Sequence, residues 1–226
     1  MTADQMTIDL DHSQTVTGLL QVPNRATACY VMAHGAGAGM THPFMAAVAD
    51  GLHARGIATL RYQFPYMEQG SKRPDRPQLA HATVRAAIAA AIRLTPMLPL
   101  VAGGKSFGAR MTSQTQAEAP LPNVRGLAFL GFPLHPAGKP SDDRAKHLAD
   151  VHIPMLFLQG MRDALADNGI LARVLRQLPG KVRAHMIEHA DHSFHVPARS
   201  GTTDQRVMED LLDVLAAWFA EIAPIA

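Results

Sequence analysis

Short apolar runs alternate along this chain with segments of helical pattern, and that alternation restricts the fold more than any other feature. The runs at 15–21, 28–33, 57–62, 98–102, 126–131, 155–158 and 182–187 read as strands. Several are apolar on successive residues, as Ala28-Cys-Tyr-Val-Met-Ala33 is. A strand needs that pattern when both its faces are covered. Helices are predicted at 43–55, 79–94, 106–118, 169–178 and 204–222. Pro43 starts the first of these and Gly56 follows it, the usual asymmetry of helix ends. Val207, Leu211, Leu215 and Trp218 give the last helix one apolar stripe. Strand–helix alternation predicts an α/β fold, a mostly parallel twisted sheet with helices on both faces. In such sheets ligands bind beyond the carboxyl ends of the strands. Segments 63–77 and 132–150, rich in Pro, Gly and charge, are assigned to no element; both leave a strand's carboxyl end and are expected to border the site.

At 226 residues the chain is expected to form one domain, 1–226, with a substantial core. Its 47% apolar and 18% charged composition marks a globular chain. A formal charge of +2, with Lys and Arg scattered, gives no footprint for a nucleic-acid partner. The one cysteine, Cys29, falls in an apolar strand. It is expected to be buried, and with no disulfide framework possible it suits a reducing compartment. The polar, acidic start lacks a basic and apolar leader, and no run approaches 18 apolar residues, so no membrane partner and a cytoplasmic location are expected.

The pentapeptide Gly104-Lys-Ser-Phe-Gly108 stands between the run at 98–102 and a helical segment. Gly-x-Ser-x-Gly at a strand-to-helix junction forces the serine onto a tight, strained turn that lifts its hydroxyl above the sheet edge. The flanking glycines are expected to remove Cβ atoms that would collide across that turn. Ser106 thereby becomes a candidate nucleophile.

A serine needs a base, a group to orient that base, and donors for the developing oxyanion. The base is expected in a late loop, where His189, His192 and His195 compete. The acid is expected after the strand at 155–158, where Gln159-Gly-Met-Arg-Asp163 offers Asp163; Asp167 is the alternative, with helix capping as its other role. One oxyanion donor is the backbone N–H of Phe107. The second is expected from His34-Gly-Ala-Gly-Ala-Gly39, with Ala36 the first choice and Gly37 behind it. His34 is expected to brace that loop. Arg61, Arg110, His135 and Lys139 are further candidates for facing a polar substrate, each with an equally good structural role.

The order Ser106, Asp163, His192 resembles the α/β-hydrolase superfamily, whose triad runs serine, acid, histidine. More narrowly, the chain is similar to the compact group of testis-expressed-protein-30-like and dienelactone-hydrolase-like proteins. The resemblance lies in His34-Gly-Ala-Gly37, Arg61-Tyr-Gln-Phe-Pro-Tyr66, Gly104-Lys-Ser-Phe-Gly-Ala-Arg110, Gly131-Phe-Pro-Leu-His-Pro136, Gln159-Gly-Met-Arg-Asp163 and Ala190-Asp-His-Ser-Phe194. The last of these selects His192 as the base. The resemblance implies an α/β-hydrolase fold without a cap, and a serine hydrolase acting on a small-molecule ester or acyl substrate. It implies neither a metal nor an organic cofactor. True dienelactone hydrolases use a cysteine nucleophile, so their substrate does not transfer; Ala164 also stands where many members have Pro. The alternatives are a thioesterase or peptidase using the same residues, and a non-catalytic interaction module on the same fold.

Two other motifs fail. Gly104-Lys-Ser106 could end a phosphate loop, but Pro99 stands where that loop needs its first glycine. Gly35-Ala-Gly37 could open a dinucleotide fingerprint, but Met40 replaces its third glycine. His185, His189, His192 and His195 could suggest a metal. Residues 185 and 189 of one strand would lie about 13 Å apart, too far for one ion.

Overall fold

The computed structural model describes residues 3–10 and 14–222; Met1 and Thr2 of the acidic start lie outside the described residues. Eight strands form one sheet: β1 (Asp4–Asp9), β2 (Thr15–Gln21), β3 (Ala28–Ala33), β4 (Ile57–Tyr62), β5 (Leu100–Lys105), β6 (Val124–Leu130), β7 (Met155–Gly160) and β8 (Val182–Ile187). Their spatial order is β1-β2-β4-β3-β5-β6-β7-β8. Strand β2 runs antiparallel to β1 and β4, and the pairs from β4 to β8 are parallel. The helices are α1 (Pro43–Ala54), α2 (Pro65–Glu68), α3 (Pro77–Leu94), α4 (Phe107–Glu118), α5 (Asn168–Gln177) and α6 (Asp204–Ile222).

Side-chain alternation along the parallel strands feeds two cores. Cys29, Val31, Ala102, Leu127, Phe129 and Phe157 point to the face covered by α3, α4 and α5. Tyr30, Met32, Val101, Leu130, Leu156 and Leu158 point to the face covered by α1 and α6. Each of the larger side chains, Val, Leu, Met or Phe, contributes roughly 1.5–3 kcal/mol on leaving water. All six residues of β3, β4 and β7 are buried, which is why β3 is apolar throughout, while β4 buries Thr59 and Arg61.

The expected α/β architecture is therefore present, with corrections at its polar parts. Strand β1 was not anticipated, because only Ile8 of its six residues is buried and it lies at the sheet edge. Segment 63–77 contains α2, and segment 132–150 contains a 3-10 helix, Asp143–Asp150, that buries Ala145 and Leu148. Their spacing of three residues suits that tighter helix. Strand β5 runs through Gly103 and Gly104 to Lys105, three residues past the expected end.

The connections reverse direction at β3. From β3 the chain crosses to β4 on one side, and from β5 it continues to β6 on the other. The loops leaving β3 and β5 thus diverge and open a crevice at the sheet's carboxyl edge, where ligands of such sheets bind. No described helix is long and apolar enough to cross a membrane.

Candidate active site

Ser106 occupies the turn between β5 and α4 with φ 51° and ψ −110°. That conformation costs a non-glycine residue on the order of 1–3 kcal/mol. The turn is held by Ser106 N–H donating to the Leu130 carbonyl at 3.2 Å and by Arg110 N–H donating to the Ser106 carbonyl at 3.1 Å. The flanking glycines are needed for a different reason from the expected one. A Cβ on Gly104, whose φ is 138°, or on Gly108 would overlap the backbone of Ala33 in β3. The collision is with the neighbouring strand, so the glycines let the turn press against the sheet.

Three side chains expected from distant loops meet here. Ser106 Oγ lies 2.8 Å from His192 Nε2, and His192 Nδ1 lies 2.6 Å from Asp163 Oδ2. Asp163 Oδ2 also accepts from Gln159 Nε2 at 2.5 Å, and its Oδ1 accepts from Leu165 N–H at 2.7 Å. Gln159 is fixed in turn, because its Oε1 accepts from Phe132 N–H at 2.8 Å. A carboxylate so surrounded by donors only accepts, so Nδ1 of His192 carries the proton and Nε2 is free to accept from the serine. The Asp163 side chain is fully buried, whereas that of His192 is 25% exposed and reaches the crevice.

The competing residues go elsewhere. His189 is exposed with Glu188 at 3.6 Å, and His195 meets Asp204 at 2.8 Å on the surface. Asp167 caps α5, accepting from Ile170 N–H at 2.9 Å. His185 pairs with Asp210 at 2.6 Å, so the late histidines have four separate environments. Arg61 is buried in a structural role, donating to the Met40 carbonyl and to Gln21 Oε1. His135 joins two loops, Nδ1 meeting the Pro136 carbonyl and Nε2 accepting from Asp167 N–H. Lys139 is exposed.

The loop after β3 lies against the serine. His34 is buried, Nδ1 donating to the Gly35 carbonyl at 2.8 Å and Nε2 accepting from Phe64 N–H at 3.1 Å. Burial pushes its pKa from 6.5 down to about 4, so it is the neutral brace expected and not a base. Gly37 N–H donates to the Tyr66 hydroxyl at 3.1 Å, which occupies the second-choice donor. Among the described residues, the N–H groups of Ala36 and Phe107 donate to no other backbone group.

Two residues escaped the sequence reading. Gln159 fixes the carboxylate, and Lys105 lies under the histidine loop, Nζ donating to the His192 carbonyl at 2.5 Å. The Phe44 and Phe194 rings flank that ammonium at 5.8 and 5.1 Å. Burial pushes the Lys105 pKa from 10.5 down to about 8, opposed by Asp163 and Asp191. Both residues sit inside the motifs around Ser106 and Asp163, one and four positions from them, and that adjacency was their only signal.

Ser106, Ala36 and Leu165 border two cavities. Both linings are mostly apolar. One cavity, about 390 Å³, is also lined by Phe44, Met45, Lys105 and His192. The other, about 370 Å³, is also lined by Asp75, Phe107, Arg110, Pro133 and Arg144.

Residues 26–220 match the model of a family described as an alpha/beta hydrolase domain. Among solved structures, the chain is similar to a dienelactone hydrolase from Anabaena variabilis, at 22% identity and a TM-score of 0.78 over 98% of each chain. An α/β serine hydrolase without lid from Xanthomonas campestris is 19% identical, with a TM-score of 0.75 over 100% of this chain and 97% of that one. Est1E from Butyrivibrio proteoclasticus, bound to ferulic acid, is 16% identical, with a TM-score of 0.76 over 95% of this chain and 99% of that one.

Proposed function

As the chain belongs to the α/β-hydrolase family, we propose that it is a serine hydrolase that cleaves small carboxylic esters through Ser106, His192 and Asp163. The observation that carries this reading is the unbroken hydrogen-bond series from Ser106 Oγ through His192 to Asp163. His192 Nε2 takes the hydroxyl proton as Ser106 Oγ attacks the acyl carbon. Asp163 holds the ring in its tautomer and stabilises the cation that forms. The Ala36 and Phe107 N–H groups, at the loop after β3 and the start of α4, receive the oxyanion. Collapse of the tetrahedral adduct expels the alkoxide, which takes the proton from His192. Water then gives a proton to His192 and attacks the acyl-enzyme; its collapse returns the proton to Ser106 and releases the acid.

The strained backbone of Ser106 favours this reading over an interaction module. A surface used only for docking has no need of a serine at φ 51° aimed at a histidine. The ester-acting names among the structural relatives favour an ester over a peptide. A fluorophosphonate probe is expected to label wild type at Ser106, to leave Ser106→Ala unlabelled, and to label His192→Ala far more slowly. Hydrolysis of p-nitrophenyl esters is expected to drop at least about 10³-fold in either variant. Labelling that survives in Ser106→Ala, or folded wild type that takes no label, would overturn the proposal.

A further inference from the structure

The cavity on the side of Ser106 away from His192 holds two guanidinium groups without an acidic partner. Arg110 lies on α4 one turn beyond Ser106, its Cζ 5.9 Å from the Phe107 ring, and Arg144 rises from the 3-10 helix. Among the described residues neither makes an ion pair, whereas Arg55, Arg173 and Arg183 all do. The Nε of Arg110 is buried with no hydrogen-bond partner. The two arginines also repel each other: burial and the Arg144 charge both lower the proton affinity of Arg110. Asp75 lines the same cavity, but its Oδ2 accepts from Tyr66 N–H at 3.1 Å. His147, close by, is held neutral by burial, its pKa pushed down to about 4, and its Nε2 meets Ser113 Oγ. Two cations thus face a half-enclosed space beside Ser106, against one carboxylate on the same wall that accepts a backbone N–H. An oxygen anion bound between them would relieve the repulsion and accept from their guanidinium N–H groups.

Proton delivery decides which half of an ester would lie there. The departing oxygen must sit at His192 Nε2, and of the two cavities His192 lines the one walled by Phe44 and Met45. The alcohol therefore occupies that side, and the acyl half extends toward the arginines. We propose that Arg110 and Arg144 bind a carboxylate at the far end of the acyl chain, so that the preferred substrates are half-esters of dicarboxylic acids with apolar alcohols. This rests on the serine-hydrolase reading above. The planar, fixed fork of guanidinium suits a carboxylate better than a lysine ammonium would.

The test compares mono-p-nitrophenyl glutarate with p-nitrophenyl pentanoate, equal in chain length and different in charge. Wild type is expected to show the higher kcat/KM on the glutarate. The glutarate-to-pentanoate ratio is expected to fall at least about tenfold in Arg110→Gln and in Arg144→Gln, a loss typical of one charge-assisted hydrogen bond. Arg110→Lys is expected to retain part of the preference. Arg144, half-exposed on its 3-10 helix, gives a variant that should fold even if Arg110→Gln does not. Turnover of both esters with a ratio unmoved by either substitution overturns this inference and leaves the serine-hydrolase reading standing. Absence of both turnover and Ser106 labelling overturns the two together. If the protein labels but turns over neither ester, free glutarate should slow labelling in wild type and not in Arg144→Gln; equal labelling rates overturn the site.

Discussion

Lys105 precedes Ser106 by one residue and ends beneath His192 in space. Its ammonium is held by one carbonyl, that of His192, and by two aromatic rings. A half-buried cation with a single strong acceptor is costly to keep. What it secures is the position of the loop that carries His192. Replacing it by methionine, which fills similar space without charge, is expected to leave the thermal midpoint unchanged or higher. The same variant is expected to lose roughly tenfold in kcat on p-nitrophenyl esters, since small misplacement of a catalytic group is expensive. A kcat equal to wild type would show that the histidine loop holds itself. Gln159 stands in the same relation to Asp163, and neither residue type announces such a role in a sequence.

At the scale of elements, the junction from β5 to α4 was legible as a motif and misread as a mechanism. Gly104 and Gly108 were expected to relieve crowding within the turn, yet both face Ala33 of the adjacent strand. A sequence pattern reports that a Cβ is forbidden without saying what it would strike. Gly104→Ala is expected to be severely destabilised, by more than about 3 kcal/mol in urea unfolding. It combines a backbone overlap with a φ of 138° that alanine avoids. A loss below about 1 kcal/mol would mean that β5 can withdraw from β3 without cost. The other misreadings at this scale share one cause. Strand β1, helix α2 and the 3-10 helix Asp143–Asp150 are short and partly polar, and they draw their order from neighbours more than from their own pattern.

At the scale of the whole molecule, acid stability depends on groups that only the folded chain shields. Burial holds His34 and His147 near pKa 4, against about 6.5 in an unfolded chain. Between pH 6.5 and 4 the unfolded chain binds protons that the folded one refuses. This contribution is therefore complete above pH 6.5 and is lost as pH falls through that window. Going from pH 7 to pH 5 should cost about 2 kcal/mol per histidine, from 1.5 pH units at roughly 1.4 kcal/mol each. Urea unfolding of wild type at the two pH values measures the sum. His147→Gln is expected to remove about half of the decline, and an equal decline in both proteins would place the acid sensitivity in other groups.

The sequence by itself determined seven of the eight strands, five of the six α-helices and the tight turn at Ser106, because continuous apolar runs and a glycine-framed turn are local signals. It also offered the acid and the base, but as one choice among two aspartates and one among three histidines. Tertiary structure sets them in different surroundings: Asp167 caps α5 and His195 meets Asp204, while His192 reaches both Ser106 and Asp163. It alone placed Lys105 and Gln159 behind the site and set Arg144 beside Arg110. Hydrogen-bond geometry and the pairing of charges depend on distances across loops far apart in the chain, and no local pattern of residues encodes those distances.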